Sequence, residues 1–210
     1  MGIAERKKRE KEIRKKQIQD AAMAVFMNKD FNSVTIEDIA NEAELSPATL
    51  YRYFKNKYEL YASLHLMYLE DLHDQIETVY ADDTLAVEEK IVRFKDAMYK
   101  AFQNNPILLK IIFYIQPYDV LTSLDKNLLN KLNRVARGSM NMMATVYDDG
   151  VKQEKFKEGQ GMLHADILWA IFSGLVVWEG AKHQIDPRKD FLKPTLDRAF
   201  DIFYWGIKKF

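Results

Sequence analysis

No cysteine occurs anywhere in the 210 residues, so disulfides and thiolate metal sites are excluded. Histidine is scarce: His65, His73, His164 and His183 stand far apart, with no HExxH pair and no close metal-ligand doublet. His65 and His73, eight apart on one predicted helix, come nearest to sharing a face, and they read better as exposed or core histidines than as ligands. With 8 glycines and 5 prolines there is little material for strand-type turns. Gly159-Gln160-Gly161 is too short for a phosphate loop and follows no strand, and no nucleophile elbow appears. These absences argue against an enzyme and against a catalytic centre, a resident metal or a cofactor. The apolar stretch Ile167 to Trp178 is interrupted by Ser173 and Gly174 and falls short of the roughly 20 residues that span a bilayer. Residues 1 to 20 are charged and lack the apolar run of a secretory signal. The expectation is a cytoplasmic protein with no membrane partner.

Net charge is absent too, with 31 basic and 31 acidic residues, but its distribution is uneven. Residues 1 to 19 hold eight basic and three acidic side chains, a net +5, which leaves −5 on the remainder. A basic end on an acidic body is the asymmetry of a chain whose one end meets phosphate. The same segment also reads as a solvated helix, because Glu5 with Arg9, Glu10 with Arg14, and Glu12 with Lys16 are i,i+4 pairs. Both readings hold for one helix over about Ala4 to Asn28, with Ile18, Ala22, Val25 and Phe26 as its core stripe and its first turns projecting toward DNA. A composition of 48% hydrophobic and 30% charged residues fits a folded globular chain.

Between Ser33 and Tyr61 the chain reads SVTIEDIANEAELSPATLYRYFKNKYELY. Thr35 is a good N-cap with Asp38 in the capping-box position, and Val34 with Ile39 can form a hydrophobic staple. Ile36, Ile39, Ala40 and Ala43 recur at helical spacing. Ser46-Pro47 then signals a new helix, since proline at the first position loses only an amide without an intrahelical partner. Leu50 and Phe54 supply its inward face, leaving Pro47, Ala48, Thr49, Arg52 and Tyr53 outward or on its flanks. Two short helices across a tight turn, followed at once by a third, make a helix-turn-helix reader of DNA.

Thr35, Ile39-Ala40, Ala43, Leu45-Ser46, Thr49-Leu50-Tyr51, Tyr53-Phe54, Lys57 and Leu60 resemble, in order and spacing, the signature of TetR-type transcriptional regulators over roughly residues 12 to 65. The resemblance implies that the second helix enters the major groove. It implies phosphate contacts by Thr35, Tyr51, Tyr53 and Lys57, and a base-facing set of Pro47, Ala48, Thr49 and Arg52; Ser46 and Lys55 complete the expected DNA-binding residues. Glu44 stands where the family usually has glycine with positive φ, at a cost of about 1 kcal/mol for a residue with a side chain.

Beyond Asn56 the chain reads as helical throughout, with breaks at Asp82 to Thr84, Asn104 to Pro106, Pro117 to Thr122, Asp148 to Gly150, Glu158 to Gly161 and Asp186-Pro187. Helices are predicted over 57–80, 85–103, 106–115, 123–156, 162–184 and 188–209, nine in all with the first three. The expected fold is all-α: a helix-turn-helix head over 1–56, joined without a linker to a helical effector-binding and dimerisation domain over 57–210. The helix from Lys57 would carry motion between them as a rigid lever.

The helix over 162–184 is apolar on two stripes, Leu168, Ile171, Leu175 and Trp178, then Trp169, Phe172 and Val176, and so needs cover on two sides. The last helix adds Leu192, Leu196, Ala199, Phe203 and Gly206. Both helices can be interior to one chain; the resemblance favours a homodimer built on them, with two heads reading an inverted-repeat operator on double-stranded DNA. Aromatic and methionine residues on the preceding helices, Phe94, Met98, Tyr99, Phe102, Phe113, Met140, Met143 and Tyr147, joined by Trp169, mark an expected pocket for a small hydrophobic effector. Tyr99, Tyr114, Tyr147, His164 and Glu179 are its candidate polar partners. The resulting reading is a ligand-responsive regulator, in the family's usual manner a repressor; the alternative is a helical lipid- or small-molecule-binding protein with no role on DNA.

Overall fold

The computed structural model describes residues 2–29, 33–115, 118–186, 188 and 191–210, and within them all side chains but those of 110, 112–115, 118–120 and 184. Ten helices occur among the described residues: α1 (Ile3–Asn28), α2 (Ile36–Glu42), α3 (Pro47–Tyr51), α4 (Lys57–Tyr80), α5 (Val87–Asn104), α6 (Pro106–Ile115), α7 (Tyr118–Ser123), α8 (Lys126–Lys152), α9 (Gly161–Ile185) and α10 (Leu192–Ile207). The all-helical fold agrees with the sequence; the count differs by α7, where a break is expected from Pro117 to Thr122. Pro117 itself lies outside the described residues. The helix expected over 123–156 starts instead at Lys126, because the Asp125 carboxylate accepts from the amides of Asn127 (2.9 Å) and Leu128 (3.2 Å) and caps it. It ends at Lys152, two residues before Glu154 turns to φ 60°. The last helix opens at Leu192 rather than 188.

The chain forms two compact units, and α4 and α8 each run through both. The first comprises Met1–Leu66 and Lys110–Leu129. Its core draws Ile18, Ala22, Val25 and Phe26 from α1, Val34, Ile39 and Ala40 around α2, then Leu50, Phe54 and Leu60, all buried. Phe26 meets Tyr61 edge-on at 5.1 Å. Polar ties hold α1 in register: Gln17 donates to the Ala43 carbonyl (2.8 Å), and Gln19 to the Ser63 hydroxyl (3.1 Å).

The second unit comprises Met67–Leu109 and Asn130–Phe210. Here α10 packs on α9 and on α5. Ile91, Phe94 and Met98 of α5, Met143 and Tyr147 of α8, Ala165, Leu168, Phe172 and Val176 of α9, and Leu196, Phe200 and Ile207 of α10 are buried. Lys95 bridges α5 to Asp197 of α10, which Lys193 also meets at 2.6 Å. The segment after α8 is pinned across α10: the Lys157 amide donates to the Ile207 carbonyl (2.8 Å) and the Lys209 amide to the Lys155 carbonyl (2.9 Å). Buried Phe156 sits at that crossing.

By length and composition alone, Gly161–His183 of α9 suffices to cross a membrane, longer than the interrupted run from Ile167 suggests. One face of α9 packs inward, while the other carries exposed apolar side chains.

Candidate nucleic-acid interface

The head is built by local capping. Thr35 accepts from the Asp38 amide (3.1 Å), and the Asp38 carboxylate accepts from the Thr35 amide (3.0 Å) and hydroxyl (2.9 Å), closing the expected capping box. The Lys29 ammonium, 2.6 Å from the same carboxylate, is the largest influence holding the Asp38 carboxyl down at about 2; the Thr35 amide and hydroxyl add to it. In the turn Glu44 adopts φ 55°, the left-handed conformation expected of the position, and the next amide, of Leu45, bonds back to the Ala40 carbonyl (2.8 Å). Ser46 then caps α3 by accepting from the Thr49 amide (3.1 Å), with Pro47 at the first helical position.

The predicted DNA-facing residues are all exposed or half-buried. Thr35, Ser46, Ala48, Arg52 and Lys55 are exposed, Pro47, Thr49, Tyr53 and Lys57 half-buried, and the Tyr51 ring is 49% exposed. Lys55 lies 3.6 Å from Asp125, and Lys57 stands over the Tyr58 ring. Arg52 is the C-cap of α3, past its last turn.

Arg52 and Tyr53 also line a cleft of about 540 Å3 with Lys7, Glu10, Lys11 and Arg14 of α1. Sequence patterning did not reveal this grouping. The signal that could have found it is the i, i+4, i+7 spacing of Lys7, Lys11 and Arg14, which the expected ion pairs obscured. Glu10 pairs with Arg6 (2.8 Å) rather than Arg14, Lys16 with Asp20 (2.9 Å) rather than Glu12, and Arg14 donates to Gln17 (2.7 Å).

Of the expected effector residues, Phe94, Met98, Met143 and Tyr147 are buried in the second unit, and Tyr99, Phe102, Met140 and Trp169 half-buried there. The side chains of Phe113 and Tyr114 lie outside the described residues. Three polar candidates are committed to structure. The Tyr147 hydroxyl donates to the Lys157 carbonyl (2.8 Å) while its ring stacks on His164, centroids 3.7 Å apart, and His164 Nδ1 contacts the Gln160 carbonyl (2.9 Å). Glu179 is buried: Oε1 meets Lys182 (2.5 Å) and Thr195 (3.4 Å), and Oε2 has no hydrogen-bond partner among the described residues. Lys193 stands over the Tyr99 ring. His73, considered for a metal, contacts Ser139 (3.1 Å), and no group of three or more potential metal ligands gathers among the described residues.

The residues expected at a dimer interface divide by exposure within the single chain. Leu168, Leu192, Leu196 and Phe203 point into their own chain's core, and Ile171, Leu175 and Ala199 are half-buried; Trp178 and Gly206 are exposed. The outward stripe of α9 is instead Leu163, Ile167, Ala170, Gly174, Val177 and Ala181, beside Trp178, and α10 exposes Ile202, Trp205 and Gly206. A helix apolar nearly all round offers several stripes at helical spacing, of which one packs into the chain's own core and another is left outward.

Residues 18–64, from the second half of α1 through α2 and α3 into α4, match the family described as bacterial regulatory proteins, tetR family. The fatty acid metabolism regulator protein of Bacillus subtilis (strain 168) is 26% identical over 144 residues, 68% of this chain and 71% of that protein. Among solved structures, the TetR family transcriptional regulator PfmR of Thermus thermophilus has the same fold, with TM-score 0.72 at 19% identity over 91% of this chain and 99% of that one. So does the transcriptional regulator FadR of Bacillus subtilis in complex with stearoyl-CoA, with TM-score 0.67 at 20% identity over 91% of this chain and 98% of that one. The head thus carries the domain of the tetR family of bacterial regulatory proteins, and most of the chain's length shares the fold of a TetR family transcriptional regulator.

Proposed function

We propose that this regulator represses transcription in the cytoplasm by binding an inverted-repeat operator as a homodimer, and that a long-chain acyl effector releases it. The observation that carries the DNA half is the accessible surface of α3 and its caps, where Ser46, Ala48, Tyr51 and Arg52 stand exposed. Dimerisation is supported by the outward apolar stripe of α9: Leu163 and Trp178 are 55% and 62% exposed in the single chain. Leucine and tryptophan in a contiguous patch are what a symmetric partner covers.

Similarity to a fatty acid metabolism regulator and to a structure held in complex with stearoyl-CoA supports the effector class. Phe94, Met98 and Met143 give the second unit an adaptable apolar interior suited to an acyl chain. Release requires only that the effector bind the non-binding conformation of the regulator more tightly than the operator-bound one. Helix α4, continuous from Lys57 to Tyr80, is the element through which that preference would reach the head. The protein acts by binding throughout and performs no catalytic step.

Recovery of genomic fragments selected by the purified protein, followed by titration of the selected duplex with stearoyl-CoA, tests both halves. The expected result is an enriched inverted repeat whose complex dissociates as stearoyl-CoA is added. Absence of any sequence preference would overturn the regulator; unchanged affinity with stearoyl-CoA and with shorter acyl thioesters would overturn the effector class.

A further inference from the structure

The first three turns of α1 have no packing partner. Residues 2–14 are exposed, and the first buried side chain of the helix is Ile18. At 1.5 Å per residue this leaves a helical arm of about 18 Å beyond the head's core. Gln17, bonded to the Ala43 carbonyl, fixes the arm's direction from the helix-turn-helix itself. The arm, Ile3 to Arg14, carries six cations and three carboxylates. Lys7, Lys11 and Arg14, at i, i+4 and i+7, share the face that lines the cleft with Arg52 and Tyr53. Lys7, Lys11 and Arg52 have no carboxylate partner among the described residues, and the one acid in the cleft, Glu10, is already paired with Arg6.

Four cations converge on an open cleft, one of them supplied by the residue that caps the recognition helix. Such a cleft suits an extended polyanion better than a compact one. We infer that the arm and Arg52 clamp the phosphodiester backbone of duplex DNA immediately outside the bases read by α3. The inference rests on the chain's DNA-binding role and adds a second contact region to it. Lysine and arginine on a helix face neutralise phosphates without reading sequence, so the arm lengthens the footprint and steepens the salt dependence while leaving base preference to α3.

The test compares two doubly substituted proteins that lose equal charge: Lys7→Ala with Lys11→Ala on the cleft face, and Arg9→Ala with Lys16→Ala on the opposite face. All four side chains are exposed, and circular dichroism checks that the helix persists. On the selected duplex, the cleft-face variant is expected to bind about 100-fold more weakly near 0.1 M salt, with a log–log salt slope shallower by about 3 to 4 for two heads. Ethylation interference should lose the flanking phosphates and keep the preferred sequence; the opposite-face variant should keep both. Equal effects from the two variants, or none from either, overturn the clamp, as does a cleft-face variant that loses binding to phosphatidylserine vesicles but not to DNA. Tyr51→Ala separates this from failure of the DNA-reading surface: if it too leaves selection intact, that surface has been misplaced, and the clamp beside it falls as well.

Discussion

Asp38 is half of the capping box that starts α2, and its carboxyl is held at about 2 first by the Lys29 ammonium and then by the Thr35 amide and hydroxyl. Because the folded chain holds it below the ordinary aspartate range of about 4, the stabilisation is fully present above that range and is lost as pH falls toward 2. The expected outcome is that Asp38→Asn has a lower Tm than the unsubstituted protein at pH 5, with the gap closing as both are scanned down to pH 2; a constant gap would show that the carboxylate's charge is irrelevant. Gly150 carries a different prediction. A Cβ there would lie 2.1 Å from a ring carbon of Phe156, which is buried and stacked near Tyr147. Alanine normally gains about 1 kcal/mol over glycine inside a helix, but overpacking costs about 1–3 kcal/mol. The clamped ring makes the second effect win, so Gly150→Ala should lower stability by about 1–2 kcal/mol in denaturant unfolding; a stabilised protein would refute the assigned contact. These residues also mark what was legible. The Thr35 box, the Ser46-Pro47 start and positive φ at Glu44 involve partners within a few positions, so the sequence displays them. Gly150 and Gly161 read as breakers, yet both lie in helices: their neighbours, Phe156 and the Ala144 carbonyl with Asp148, are set by how the chain returns across α8.

At the scale of elements, type was legible and facing was not. Helix α9 illustrates the reason: hydrophobicity around most of its circumference declares a helix covered on two sides but leaves open which stripe faces home. Buried Ala165, Leu168, Phe172 and Val176 settle the inner stripe, and Leu163, Ile167, Ala170, Gly174 and Val177 are left outside. Gly174 gives a discriminating experiment, because a Cβ placed there meets nothing within 4 Å in its own chain. In an isolated chain Gly174→Leu should fold well and gain helix stability of up to about 1 kcal/mol. Where a second copy approaches closely at that glycine, the same leucine separates the two helices. If the proposed dimer is built on this face, sedimentation velocity should show Gly174→Leu as monomer at concentrations where the unsubstituted protein sediments as a dimer, with undiminished helicity. A variant that remains dimeric would remove α9 from the interface centre. The arm of α1 was legible as a basic helix but not as part of a cleft, since the expected ion pairs placed Arg14 with Glu10 and hid a shared face.

For the whole molecule, the zero net charge conceals a +5 end and a −5 remainder, and this separation shapes how the regulator meets DNA. Attraction is strongest over the first 19 residues, so the protein should approach a duplex with that basic end leading. A single head offers only the five-residue α3 and its flanks for reading bases, too little to select a site from a genome. Two heads on half-sites about 34–36 Å apart double the base contacts and the phosphate contacts together. With about four phosphates neutralised by each head, the log–log slope of affinity against salt is about −7 for the pair, and about −11 if each arm adds two more. A duplex carrying one half-site can engage only one head specifically. Its affinity should fall by several orders of magnitude relative to the full repeat, and its salt slope should fall to about half. Fluorescence anisotropy on the two duplexes across a salt series measures both quantities. Equal affinity with equal slope would mean that one head carries the whole interaction, and the two-headed reading would have to be abandoned.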